Sequence, residues 1–228
     1  MRRAVLGVAL AGATFGAAGC FDVHNVDPGV HLIDDFDDGA FQPADPNLTP
    51  WGCYSVNPAT NQNYSCGHDG DTMDASPYSL YLDFSITDPA DGTQQHGGAA
   101  VSTAAETPEN LAPFKEIGFS AKLESGNPPL PSSALLYLEL HCRTVPATGS
   151  RSPDDLLVLA GVDYHSDWKT FSLELNSLVP PPWLSTQFQG GNVACLEHVD
   201  NIDLIVDEQL PDGKTGAGVL HVDDIYLR

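Results

Sequence analysis

Three stretches of this chain carry side chains able to do chemistry. Two are acidic, Leu32-Ile-Asp-Asp-Phe-Asp-Asp-Gly39 and the last eleven residues, Gly218-Val-Leu-His-Val-Asp-Asp-Ile-Tyr-Leu-Arg228. Strand alternation puts Val219, His221, Asp223, Ile225 and Leu227 on one side, so Asp223 is expected to point inward with Ile225 and Leu227. An inward carboxylate stays charged only beside a cation, a metal or several hydrogen-bond donors. First and last strands are natural neighbours in an antiparallel sandwich, so the two sets of aspartates are expected to meet. That arrangement suits calcium, which takes roughly six to eight oxygen ligands.

The third stretch is polar on one side only. Leu136, Leu138, Leu140 and Cys142 alternate with Tyr137, Glu139, His141 and Arg143. One aromatic plate and three polar groups on one strand face are the mix that holds a sugar: C–H faces on the ring, hydroxyls on the polar groups. The same pattern also fits a solvated sheet face with cross-strand ion pairs. Tyr81 and Asp203 join this face if their strands share its sheet. Trp51 and Trp183 border loops and are alternative platforms, whereas Trp168 opens a strand and reads as structural. Asp69-Gly-Asp71 with Asp74 lacks a complete EF-hand pattern and reads as an acidic turn. No Gly-x-Ser-x-Gly elbow, His-Glu-x-x-His pair or phosphate-cradling glycine loop occurs, and the expectation is a non-enzymatic protein.

These residues need strands to position them. Clean alternation runs through 78–84, 116–123, 136–143, 170–175 and 201–206, and 156–164 is apolar enough for a central strand. Short strands are expected at 31–36 and 51–56, with 57–74 as a long polar excursion. With 21 Gly and 18 Pro as separators and no amphipathic helix, the reading is all-β: two antiparallel sheets packed face to face. One domain over 31–228 is the natural count for 228 residues.

Residues 1–19 read as a signal peptide: Arg2 and Arg3, a small-residue apolar run to Ala18, then Ala17-Ala18-Gly19 before Cys20. Cys20 stands where cleavage leaves it N-terminal and lipidated, with 20–30 as a tether. The expected address is the bacterial cell envelope, outside the cytoplasm, with the membrane reached through the lipid alone. Loss of the two arginines leaves seven basic residues against 31 acidic ones, a net charge of −24. Such a field repels nucleic acid and anionic polymers. Aspartate, the turn-forming and calcium-ligating acid, outnumbers glutamate 23 to 8. Four cysteines remain, and three pairings are possible. Local closure favours Cys53–Cys66 across a short loop, which leaves Cys142–Cys195.

The chain resembles the jelly-roll, galactose-binding-like sandwiches of non-catalytic carbohydrate-binding modules. The likeness rests on Asp35-Phe-Asp-Asp-Gly39, on Trp168-Lys-Thr-Phe-Ser-Leu-Glu-Leu175, on Val199-Asp-Asn-Ile-Asp-Leu-Ile-Val206 and on Val222-Asp-Asp-Ile-Tyr-Leu227. It spans 32–227. The resemblance implies a structural calcium between opening and closing strands, on Asp37 and Asp223 with Asp35 and Asp224 as helpers. It also implies a glycan ligand, expected to be neutral given the acidic field, and the chain is expected to be a monomer. Two other functions remain open: a structural or adhesive lipoprotein without a sugar site, and a secreted carbohydrate-active enzyme.

Overall fold

The computed structural model describes residues 29–55, 61–73, 76–87, 96–130, 135–142, 156–162, 165–179, 195–209 and 215–228. Cys20, Arg143 and Trp183 lie outside them. The described chain forms β1 (His31–Asp34), β2 (Gly52–Ser55), β3 (Asn61–Asp69), β4 (Ser79–Thr87), β5 (His96–Glu109) and β6 (Glu116–Ser125). β7 (Leu135–Cys142), β8 (Leu156–Val162), β9 (Lys169–Glu174), β10 (Val199–Gln209) and β11 (Thr215–Leu227) complete it, with a single 3-10 turn at Leu175–Ser177.

Every ladder is antiparallel. One sheet runs β3-β4-β11-β6-β9, with β1 also paired to β11; the other runs β2-β5-β10-β7-β8. Successive strands from β4 to β7 alternate between the sheets, and so do β8 to β11, which is the jelly-roll path. The alternation read from the sequence sets the inner faces. Leu80, Leu82, Phe84 and Ile86 of β4, Ile117, Phe119 and Leu123 of β6, and Leu136, Leu138 and Leu140 of β7 are all buried in one core.

Two strands depart from expectation. The polar excursion contains β3, a nine-residue edge strand paired along its whole length with β4. β5, at fourteen residues, lies inside its sheet although alanine, glycine and threonine dominate it. Neither has the alternation of large apolar residues that marks a half-buried strand. β5 is buried through small side chains: Ala99, Ala100, Val101, Thr103 and Ala105 are each at most 6% exposed.

The closing strand corrects the expectation for Asp223. Leu220 and Val222 face the core, and so do Ile225 and Leu227, which have the opposite parity. The register breaks between Asp223 and Tyr226, and Asp224 has a φ of 51°, a left-handed conformation uncommon for a residue with a side chain. The bulge puts Asp223 on the outer face with His221, opposite Ser120. Asp223 is nonetheless 0% exposed, because the segment after β3 lies over it: Met73 N–H points at Asp223 Oδ2 from 3.4 Å.

On that outer face two glycines stand directly across from tyrosines, Gly67 from Tyr81 and Gly118 from Tyr226. A methyl carbon on Gly118 would lie 2.1 Å from Tyr226 Cζ, and one on Gly67 would lie 2.8 Å from Tyr81 Cε1. Each ring lies where the glycine leaves room.

Both expected disulfides form. Cys53–Cys66 joins β2 of one sheet to β3 of the other, with Cα atoms 6.1 Å apart. Cys142–Cys195 ties the end of β7 to the turn that leads into β10, at 5.1 Å, and both of its cysteines are buried. The loops closed are 13 and 53 residues long. Chain-entropy arguments give about 3 and about 4 kcal/mol for loops of those lengths. Cys142→Ser with Cys195→Ser is therefore expected to cost more than Cys53→Ser with Cys66→Ser, measured by urea unfolding. Equal losses would mean that loop length and burial do not govern these bridges.

Candidate functional site

The outer face of the five-stranded sheet carries a row of polar and aromatic groups contributed by four strands. β7 alternates buried and half-buried residues along its length, with Tyr137, Glu139 and His141 on the outer side. Across the ladder Tyr137 stands opposite Ile205, Glu139 opposite Asp203, and His141 opposite Asn201. On the other side of β10, Asp203 faces Ser102 of β5 and Ile205 faces Ala100, which in turn faces Tyr54 of β2. Tyr54 and Tyr137 thus stand in one row, three strand spacings or about 14 Å apart at the backbone.

Asp203 is the hub of this face. It is 1% exposed and accepts from Ser102 Oγ on Oδ1 and from the Tyr54 hydroxyl on Oδ2 at 2.7 Å. His141 Nε2 lies 3.0 Å from Asp203 Oδ2 and 3.5 Å from Glu139 Oε2. Asn201 Nδ2 donates to Ser102 Oγ at 3.4 Å. Tyr54 starts on β2 and reaches an acceptor on β10, so its ring lies across β5. Ala100, 0% exposed, leaves space for it.

The electrostatics follow from that geometry. Burial works against a charged His141, but hydrogen bonds to Asp203 and Glu139 more than offset it and push its pKa up to about 10. His141 is an imidazolium at neutral pH. The ligand-type atoms of Glu139, His141 and Asp203 lie within 4.8 Å of one another, and the imidazolium is the cation that their two carboxylates share. Burial, with the Asp203 charge beside it, raises the Tyr54 hydroxyl well above the usual phenol range, so it remains a donor.

The other sequence-predicted residues are placed elsewhere. Tyr81 belongs to β4, in the six-stranded sheet, and does not join Tyr137. Trp51 is not a platform: it is 3% exposed in the core against Phe36, and its indole N–H donates to Asp34 Oδ2 at 2.7 Å. Asp34, also buried, accepts from Phe36 N–H as well, and burial pushes its pKa up to about 6. Tyr54, Ser102 and Asn201 belong to this face without having been expected there. Asn201 sits two residues before Asp203 on the same strand face, and that spacing was the available signal.

The aspartates expected at calcium are linked through the segment after β3. Ser76 Oγ lies against Asp37 Oδ1, and Met73 N–H points at Asp223. Asp37 N–H donates to Asp35 Oδ1 at 3.2 Å, and Asp224 N–H to Asp223 Oδ1 at 3.0 Å. The side-chain donors offered by Asp37, Ser76 and Asp223 are all oxygens, a set that fits a hard cation.

A second charged cluster, Asp71, Glu124 and His221, lies on the outer face of the six-stranded sheet. Lys122 fills it, with Nζ against Asp71 Oδ2 and 2.7 Å from Glu124 Oε1. Trp168 donates from Nε1 to Asp71 Oδ1 at 3.1 Å, and its ring stands beside the Lys122 ammonium. Trp168 thus ties the start of β9 to the segment after β3. Burial holds the His221 pKa below the usual histidine value. A separate cleft of about 110 Å³, lined by Ile33, Leu48, Leu111 and Phe114, shares Asn201 with the polar row. It lies between the sheets and not on their face.

No family model and no curated protein matches the chain. Among solved structures it is similar to the family 11 carbohydrate-binding module of cellulosomal cellulase Lic26A-Cel5E of Clostridium thermocellum. The TM-score is 0.54 at 17% identity, over 87% of this chain and 94% of that one. It is also similar to a family 11 module from Clostridium thermocellum in complex with a β-1,3-1,4-mixed-linked tetrasaccharide. There the TM-score is 0.52 at 18% identity, over 87% and 95% of the two chains. At these identities the likeness is one of fold.

The His141 charge sets a pH dependence. Its folded pKa of about 10 is above the ordinary 6.5, so its stabilising contribution is complete below 6.5 and is lost as pH rises through about 10. The melting temperature is expected to fall over that window in the native chain and to fall less in His141→Gln. A ring NMR titration with a midpoint near 6.5 would remove the imidazolium from the site.

Proposed function

We propose that this chain is a lipid-anchored, extracytoplasmic carbohydrate-binding protein of a bacterial envelope, without catalytic activity, that holds a neutral glycan on the outer face of its five-stranded sheet. The observation that carries the reading is the row on β2, β5, β10 and β7. The Tyr54 ring lies over β5 against a buried carboxylate, and Tyr137, an imidazolium and a second carboxylate stand beyond it on β7. A glycan chain laid in this row meets ring faces for its C–H surfaces. It also meets charged groups of both signs for its hydroxyls, which donate to Glu139 and accept from His141. Asp203 is engaged by three partners and acts by holding Tyr54 and His141 in place. A neighbour with the same fold holds a tetrasaccharide, so this sandwich is a scaffold able to carry a glycan site.

Charge supports the neutral class. At a formal −22 for the whole sequence, an anionic polysaccharide is repelled before it docks. The geometry supports the absence of catalysis. Glycosidic cleavage needs two carboxyl groups flanking the scissile bond, whereas the imidazole of His141 occupies the space between Glu139 and Asp203. The address rests on residues 1–20, where a basic start and a small-residue apolar run lead to Cys20. Intact-mass measurement of the native protein is expected to show an acylated Cys20.

Tyr137→Ala is expected to weaken polysaccharide binding about tenfold, the scale of one lost aromatic contact, with little change in melting temperature. Calorimetry against a panel of neutral and anionic polysaccharides makes the measurement. If no polysaccharide binds, the structural or adhesive lipoprotein reading replaces this one.

Calcium is proposed at Asp37 and Asp223, with Asp35 and Asp224 as helpers. A metal held only by the folded chain stabilises it by about 2.7 kcal/mol at a hundredfold excess over Kd. Chelation is expected to lower the melting temperature of the native chain and to leave Asp223→Ala unchanged. A chelator without effect on the native chain would dispose of the metal.

A further inference from the structure

The Cys53–Cys66 bridge is placed beside the glycan face in a way that a bridge for stability alone does not require. β2 is a four-residue strand at the edge of its sheet, and among the described residues its ladder is with β5. Its two central residues point opposite ways. Cys53 goes inward to Cys66 on β3 of the other sheet, while Tyr54 goes outward to Asp203. Four ladder positions are a weak hold, because an edge strand has no partner on its second side. The disulfide supplies the missing hold from across the sandwich. The two bridges also differ in access: Cys53 and Cys66 are half-buried, whereas Cys142 and Cys195 are 1% and 0% exposed.

We propose that the Cys53–Cys66 disulfide is the positioning element of the glycan face, and that its reduction by a dithiol releases β2, withdraws Tyr54 from Asp203 and lowers glycan affinity. The inference rests on the proposed function in so far as it concerns glycan. In the step itself two electrons and two protons pass from the dithiol to the bridge. The S–S bond of Cys53–Cys66 breaks to two thiols, and the dithiol closes to its own disulfide. Burial shields Cys142–Cys195 from the same reagent. Once Tyr54 leaves, Asp203 keeps Ser102 and His141, so the floor of the face persists while one of its two aromatic walls is lost.

The test treats the folded protein with dithiothreitol, alkylates the free thiols and maps them by mass spectrometry. Label is expected on Cys53 and Cys66 and not on Cys142 or Cys195. Two readouts follow: affinity for the β-1,3-1,4-mixed-linked tetrasaccharide, and the ring NMR signals of Tyr54 and His141, assigned with Tyr54→Phe and His141→Gln. Reduction is expected to lower affinity about tenfold, the scale of one hydrogen bond to a charged group. It should also shift the Tyr54 and His141 signals while the circular dichroism of the sandwich is retained. Cys53→Ser with Cys66→Ser should reproduce the reduced protein and ignore the reagent. Tyr54→Ala, which lacks the ring, should bind weakly from the start and lose nothing more on reduction.

Unchanged ring signals after reduction overturn the proposal, as does a tenfold loss on reduction that persists in Tyr54→Ala. A reduced chain that unfolds overturns it too, since the bridge is then structural. If the oxidised protein binds no tetrasaccharide, the loss falls on that probe and the glycan reading. The ring signals then decide the positioning role alone.

Discussion

The antiparallel hold on β11 is the interaction on which the rest of this sandwich depends. One side of the strand is shared in sequence: β4 pairs with Thr215 to Val222, and β1 takes over at Ile225 to Leu227. The opposite side is taken by β6 from Gly218 to Leu227, with the bulge interrupting it. The hand-off from β4 to β1 occurs at the bulge, where Asp223 and Asp224 sit. A straight strand would have presented Asp223 and Ile225 to the same side and forced a carboxylate into the core. The left-handed turn of Asp224 separates them. The first strand pairs with the last one there, and the segment after β3 touches Asp223 through Met73 and Asp37 through Ser76.

The fold was legible wherever large apolar side chains alternate, as in β4, β6, β7 and β10. It was illegible where burial is achieved without them. β5 packs through alanine and threonine, and β3 is polar because it is an edge. The inward reading of Asp223 failed because alternation presumes a regular strand, and a bulge changes parity without any change in composition. The same division governs the candidate site. Tyr137, Glu139 and His141 share one strand, so their common face could be read from spacing. Tyr54 and Ser102 reach the site through cross-strand register, which no local pattern encodes. Trp51 was misjudged for a related reason: it borders a loop in sequence, whereas its indole N–H has a buried acceptor in Asp34.

A chain with 31 acidic and nine basic residues has few cations to distribute. The described structure sets one of them, Lys122, and in addition the side chain of His141, each between two carboxylates, one on its own strand and one from another part of the chain. His141 serves Glu139 and Asp203 on one sheet, and Lys122 serves Asp71 and Glu124 on the other. Each is more valuable for being half-buried or buried, since the pairing then acts in a lower dielectric than water. Buried aspartates without such a cation, Asp34 and Asp223, accept from N–H donors instead.

The two glycine–tyrosine pairs of the six-stranded sheet have a consequence for descent. Gly67 and Tyr81, and likewise Gly118 and Tyr226, occupy a single volume between them, and the ring shields backbone that the glycine leaves bare. A side chain gained at either glycine collides with the ring unless the ring has already gone, and a ring lost first leaves an uncovered ladder beside a residue of poor strand propensity. Each pair is thus inherited as one character. Among divergent relatives, positions 118 and 226 should change together or not at all, and positions 67 and 81 should do the same independently of them.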